Sequence, residues 1–174
     1  MNKPLSILLF LIIFLTSSNA QEVYEHQFLV KVGDMAPDFK VELNDGSFFQ
    51  VSDHKGKVIM LQFTASWCGV CRKEMPFIEK DIWQPLKDKE FVLVGMDYKE
   101  KKDKVSDFAK QMKINYPLGI DPKGEAFHLY AQEGAGVTRN IIIDKKGKII
   151  FLSRLFHLKE FEEMKAVIFK AVNQ

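Results

Sequence analysis

The segment Val58-Ile59-Met60-Leu61-Gln62-Phe63 is apolar but for one glutamine, follows Lys55-Gly56-Lys57, and runs almost directly into Trp67-Cys68-Gly69-Val70-Cys71. A short apolar run without polar alternation is the pattern of a central strand covered on both faces. From Gly69 to about Lys87 the composition turns helical, with Met75, Ile78 and Ile82 sharing a face and Pro76 predicting a kink. The two cysteines therefore sit where a buried strand hands over to a helix. Phe91-Val92-Leu93-Val94-Gly95-Met96 repeats the strand pattern, and Val105, Phe108, Ala109 and Met112 mark an amphipathic helix after it. Strand, helix, strand, helix predicts a parallel core.

Antiparallel additions are expected at both ends. Val41-Glu42-Leu43 and Ser47-Phe48-Phe49-Gln50-Val51 flank Asn44-Asp45-Gly46, which is hairpin turn chemistry. Ile141-Ile142-Ile143 and Lys148-Ile149-Ile150-Phe151-Leu152 flank Asp144-Lys145-Lys146-Gly147 in the same way. Leu158, Phe161, Met164, Ile168 and Val172 space out a closing helix. Residues around Phe28-Leu29-Val30 read as a short strand or arm, and Gly33-Asp34-Met35-Ala36-Pro37-Asp38-Phe39 as a turn-rich lead-in. The class is α/β, with an N-terminal hairpin extension.

Lys3, the apolar run Leu5 to Leu15 and Ser18-Asn19-Ala20 have the layout of a signal peptide over residues 1–20, cleaved after Ala20. The run falls short of the roughly 20 residues that span a bilayer, and no cysteine stands near it to take a lipid. Residues 21–174, with no repeat or linker, are expected to form one extracytoplasmic domain, as a monomer. A hydrophobic content of 47% suffices for a packed core. A net charge of +2, with acids and lysines interleaved, offers no basic stripe for nucleic acid.

Exported proteins use cysteines mostly as staples across long loops, yet the only two here are three positions apart. A bridge closing so short a loop removes little unfolded-state entropy, so reversible chemistry explains it better than stabilisation. Only a thiolate attacks a disulfide, and a helix N-terminus favours the anion through unpaired N–H groups and the macrodipole. Cys68 occupies that place and is the expected attacking thiol. Cys71, one turn further, is the expected resolving thiol. Zinc would need about four ligands, and His26, His54, His128 and His157 are scattered singly, as surface or packing residues. No metal is expected. Glu74 lies about one turn beyond Cys71 and either shuttles the proton of a buried thiol or is a solvated neighbour of Arg72 and Lys73. Gln62, six residues before Cys68, offers no acid from the strand side.

Gly33 to Phe39, the block from Trp67 to Pro76, Gly136-Val137-Thr138, and Ile141 to Lys148 together resemble the TlpA/ResA-like branch of exported thioredoxin-like proteins. The resemblance implies a thioredoxin-like fold, a central mixed β-sheet flanked by helices, and a thiol-disulfide oxidoreductase without dissociable cofactor, cycling Cys68 and Cys71 between dithiol and disulfide. It implies an assisting acid at Glu74, and substrate contacts at Trp67, Val137 and Thr138, whose loop pairs with an incoming peptide. It further implies an extracytoplasmic reductant of protein disulfides, fed by a membrane-embedded thiol carrier and serving targets such as apocytochromes. One departure stands out: the family has a cis-proline six residues before the aspartate that closes the strand, and Thr138 stands there. A cis bond before a non-proline residue costs about 3 to 4 kcal/mol, so Thr138 is either trans or held in strain. Its hydroxyl is either a hydrogen-bond partner for a thiolate or part of a surface turn. The alternative activity is a peroxiredoxin-like thiol peroxidase using Thr64, Cys68 and Arg139, although the proline and threonine that such enzymes place ahead of the cysteine are absent around Phe63-Thr64-Ala65-Ser66. A binding module without catalysis is a third class, which the retention of both cysteines opposes.

Overall fold

The computed structural model describes residues 27–174. The expected signal peptide, its cleavage site and His26 lie outside the described residues. Strand β1 (Lys40–Glu42) and strand β2 (Phe48–Gln50) form the antiparallel N-terminal hairpin. A 3-10 turn, Val51–His54, then leads to β3 (Val58–Thr64). Next come α1 (Gly69–Ile78), β4 (Phe91–Tyr98), α2 (Lys102–Met112), β5 (Leu118–Asp121) and the single-turn α3 (Phe127–Tyr130). The hairpin β6 (Arg139–Ile143) and β7 (Ile149–Arg154) and the helix α4 (Leu158–Val172) close the chain.

The main sheet has the order β5-β4-β3-β6-β7. β3, β4 and β5 run parallel, whereas β6 and β7 join antiparallel, which makes the sheet mixed. β3 lies at the centre with all its residues buried, because it carries apolar side chains on both faces. Ile59, Leu61 and Phe63 pack on the side of the N-terminal hairpin and α3. Val58 and Met60 pack on the opposite side, beneath α1, α2 and α4. The expected arm at Phe28 to Val30 is no full strand; only Phe28 bridges, to Ala131.

Pro76 sits inside α1 without ending it. The helix continues as a π turn over Glu79–Trp83 and a last turn, Gln84–Leu86. A proline lacks the N–H for the preceding turn and its ring crowds the carbonyl there, whereas the widened turn lies downstream of Pro76.

Candidate active site

β3 ends at Thr64, and residues 65–67 turn the chain so that Cys68 is the N-cap of α1. Its sulfur accepts from the Cys71 N–H at 3.2 Å, a contact that a serine oxygen makes in an ordinary N-cap. No acid stands in the first helical turn to offset the positive end of the dipole. Cys68 and Cys71 are joined as a disulfide, their Cα atoms 5.3 Å apart. Cys68 keeps 8% of its surface exposed and Cys71 none, so access to the bridge is from the Cys68 side. Trp67 beside it is 63% exposed.

The preceding turn is clamped from the loop just after β4. The Glu100 carboxylate accepts from the Ser66 N–H at 2.6 Å and from its hydroxyl at 2.7 Å. Burial works to raise Glu100, but hydrogen bonding from Asp97 and Ser66 holds it below the usual carboxylate range. Asp97, paired with Thr64 across the two strands, is fully buried, and its oxygens meet no partner at full hydrogen-bonding geometry. Burial and the neighbouring Glu100 push it up to about 9.

Glu74 is no solvated surface glutamate: it is 2% exposed and points into the sheet. The antiparallel register sets Gln62 of β3 opposite Asn140 of β6, so that two amides lie side by side beneath α1. Asn140 Nδ2 donates to one Glu74 oxygen at 2.7 Å, and Gln62 Nε2 to the other at 3.3 Å. The Tyr116 hydroxyl donates to Gln62 Oε1 at 2.8 Å, which fixes which end of the amide faces Glu74. Gly95 makes room for this: a Cβ there would lie 3.3 Å from the Tyr116 ring and closer still to Leu118. Burial raises the Glu74 carboxyl from its ordinary 4.5 to about 7, against the two amide hydrogen bonds and with a contribution from Glu160. Glu74 is thus poised to gain or lose a proton near neutrality, one helical turn from a buried sulfur.

Thr138 is 4% exposed, not a surface turn residue, and the peptide bond before it is trans. Its hydroxyl lies 3.2 Å from Cys68 Sγ and 3.2 Å from Cys71 Sγ. Its carbonyl accepts from the Leu155 N–H at 3.1 Å, Leu155 being left-handed at φ 63°. The backbone of Val137 finds no hydrogen-bond partner among the described residues. Arg139 braces this loop: Nε donates to the Gly136 carbonyl at 3.0 Å, and the guanidinium lies 4.3 Å over the Phe28 ring. Burial, then Arg154, lowers it to about 10.

Trp67, Cys68, Cys71, Glu74, Val137 and Thr138 therefore converge from the start of α1 and the loop before β6. The peroxidatic grouping does not: the Thr64 hydroxyl lies 3.8 Å from Met75 Sδ, and neither it nor Arg139 hydrogen-bonds Cys68. His54 stacks on Phe49 and His128 packs beside Tyr98. No cluster of three or more His, Cys, Asp or Glu suited to a metal exists among the described residues. Reading the sequence missed Asn140, Tyr116 and Asp97. Asn140 carried a signal, a lone amide heading an apolar strand; the others needed the tertiary pairing.

The sequence pattern of the Redoxin family matches residues 31–168. The thiol-disulfide oxidoreductase ResA of Bacillus cereus is 31% identical over 130 residues, 75% of this chain and 73% of that protein. The thioredoxin-like protein YneN of Bacillus subtilis is 36% identical over 121 residues, 68% of this chain and 71% of its own. Among solved structures, a candidate protein disulfide isomerase from Bacteroides thetaiotaomicron is 50% identical. It superposes with a TM-score of 0.83 over 85% of this chain and 94% of that one. A candidate thiol:disulfide interchange protein DsbE from Chlorobium tepidum is 29% identical, with a TM-score of 0.73 over 82% and 99% of the two chains. With its mixed sheet and its Cys-x-x-Cys disulfide at the head of a helix, the chain belongs to the Redoxin family, as a thiol-disulfide oxidoreductase of thioredoxin-like fold.

Proposed function

We propose that the chain is an extracytoplasmic reductant of protein disulfides, working as a monomer without dissociable cofactor and recharged by a membrane-embedded thiol donor. Cys68 as thiolate attacks a substrate disulfide and expels one substrate thiolate, which takes a proton from solvent. Cys71 gives its proton to Glu74 and attacks Cys68 Sγ, expelling the second substrate sulfur. Two electrons pass to the substrate, and the Cys68–Cys71 bridge is left for the donor to reduce. Trp67 and the free backbone of Val137 hold the incoming peptide. The placement outside the cytoplasm rests on the signal-like residues 1–20; among the described residues no helix is long and apolar enough to cross a membrane.

The observation that carries this reading is the cysteine bridge at the helix mouth with a buried acid one turn behind it. The pre-reduced chain should reduce insulin disulfides, Cys68→Ala should not, and Cys71→Ser should accumulate a mixed disulfide through Cys68. Equal rates for the parent and Cys68→Ala would remove the enzyme.

A further inference from the structure

Thr138 buries a hydroxyl whose only hydrogen-bond partners among the described residues are two sulfurs. A hydroxyl has one proton to donate and lone pairs to accept with, and a buried one normally finds a good acceptor. The sulfurs of a closed disulfide are poor acceptors. A thiolate is a strong one, since hydrogen bonds to an ion are shorter and about twice as strong as neutral ones. The partner that satisfies this hydroxyl therefore exists only after the bridge is opened.

We propose that the Thr138 hydroxyl is a thiolate-binding donor that serves the two cysteines in turn. In the reduced chain it donates to Cys68 Sγ, which then holds two donors, Thr138 O–H and the Cys71 N–H, while the Thr138 oxygen accepts from the Cys71 S–H. Once Cys68 is tied up in a mixed disulfide, the hydroxyl rotates about Cβ–Oγ and donates to Cys71 Sγ as that thiol loses its proton to Glu74. No bond to Thr138 forms or breaks, and the equal distances to the two sulfurs let one side chain do both without moving its backbone. A proline here would supply no such donor. Because the hydroxyl binds the reduced form better than the oxidised form, it favours the dithiol and makes the bridge the stronger oxidant. The proposal rests on the dithiol-disulfide cycle above.

The test compares Thr138→Val, which keeps the shape and loses the donor, with Thr138→Ser and Thr138→Ala in the full chain. The thiol pKa of Cys68 is read from thiolate ultraviolet absorbance against pH, and the redox equilibrium from glutathione titration. Thr138→Val should cut the thiolate-to-thiol ratio of Cys68 about tenfold. The glutathione equilibrium should shift about tenfold toward the disulfide, about 30 mV more reducing for a two-electron couple. Thr138→Ser should restore both. Should valine distort the loop, Ser and Ala still differ from each other only in the hydroxyl, and their difference reads the same effect. Parent-like values in both Val and Ala overturn the proposal, as does a Ser variant that matches Ala. Insulin reduction with Cys68→Ala judges the cycle separately: a cycle that runs while the Thr138 variants titrate like the parent sinks only the hydroxyl's role.

Discussion

Glu74→Gln should flatten the pH dependence of the oxidised protein's stability and leave it less able to resolve a mixed disulfide. Burial raises this carboxyl from 4.5 to about 7, so the folded chain holds a proton that the unfolded chain releases. This carboxyl's contribution to stability is then full below pH 4.5, is lost as pH rises, and is gone above pH 7. At about 1.36 kcal/mol for each pKa unit, the loss between pH 4 and pH 8 is about 3 kcal/mol. Glutamine cannot ionise and abolishes this slope. It also turns an NH2 toward the amide donors of Asn140 or Gln62, a mismatch of about 1 to 3 kcal/mol at every pH. The variant should be the weaker protein at pH 4, and the gap should close or reverse by pH 8. Urea unfolding of the disulfide form across that range keeps both thiols out of the titration. Parallel parent and variant curves against pH would refute an acid that is neutral when buried. On the activity side, loss of the proton acceptor should slow resolution by about 10²-fold or more, read as a lingering mixed disulfide.

Two further outcomes follow from the packing. Asp97→Asn should raise the urea midpoint more at pH 8 than at pH 5, because burial and Glu100 hold the native carboxyl protonated up to about 9; a gain independent of pH would contradict this. Phe127→Ala should cost about 3 to 5 kcal/mol, since the ring is fully buried, edge-on to Phe63 at 5.4 Å and 4.4 Å from Tyr98; a loss under about 1 kcal/mol would mean the site collapses around the gap.

The elements that announced themselves in the sequence are those whose periodicity matches their burial. β3 is apolar on both faces and α4 shows one apolar stripe, so each pattern maps onto one packing arrangement. Residues 113–135 gave no reading. β5 spans four residues with Gly119 in it, and α3 is one turn whose start is held by Asp121 accepting from the Phe127 N–H at 3.0 Å. Such elements exist because neighbours hold them, not because of their own propensity. The same division runs through the site. The cysteines and the spacing of Glu74 were legible because they lie on one helix. The ionisation of Glu74 was not, because Gln62 and Asn140 reach it from two other strands and Tyr116 in turn holds Gln62. Thr138 approaches the sulfurs across sequence separations of 70 and 67 residues, so only the folded sheet could choose between its alternatives.

The Leu155 N–H that occupies the Thr138 carbonyl limits how a client chain can lie against this loop. Strand addition draws its grip from a row of open main-chain groups, and here the row is shortened at Thr138, whose carbonyl is already taken. A shortened ladder holds less by itself, so in the proposed cycle the covalent sulfur link carries more of the tether while it lasts. Release is then set by the attack that breaks that link rather than by slow peeling of a peptide.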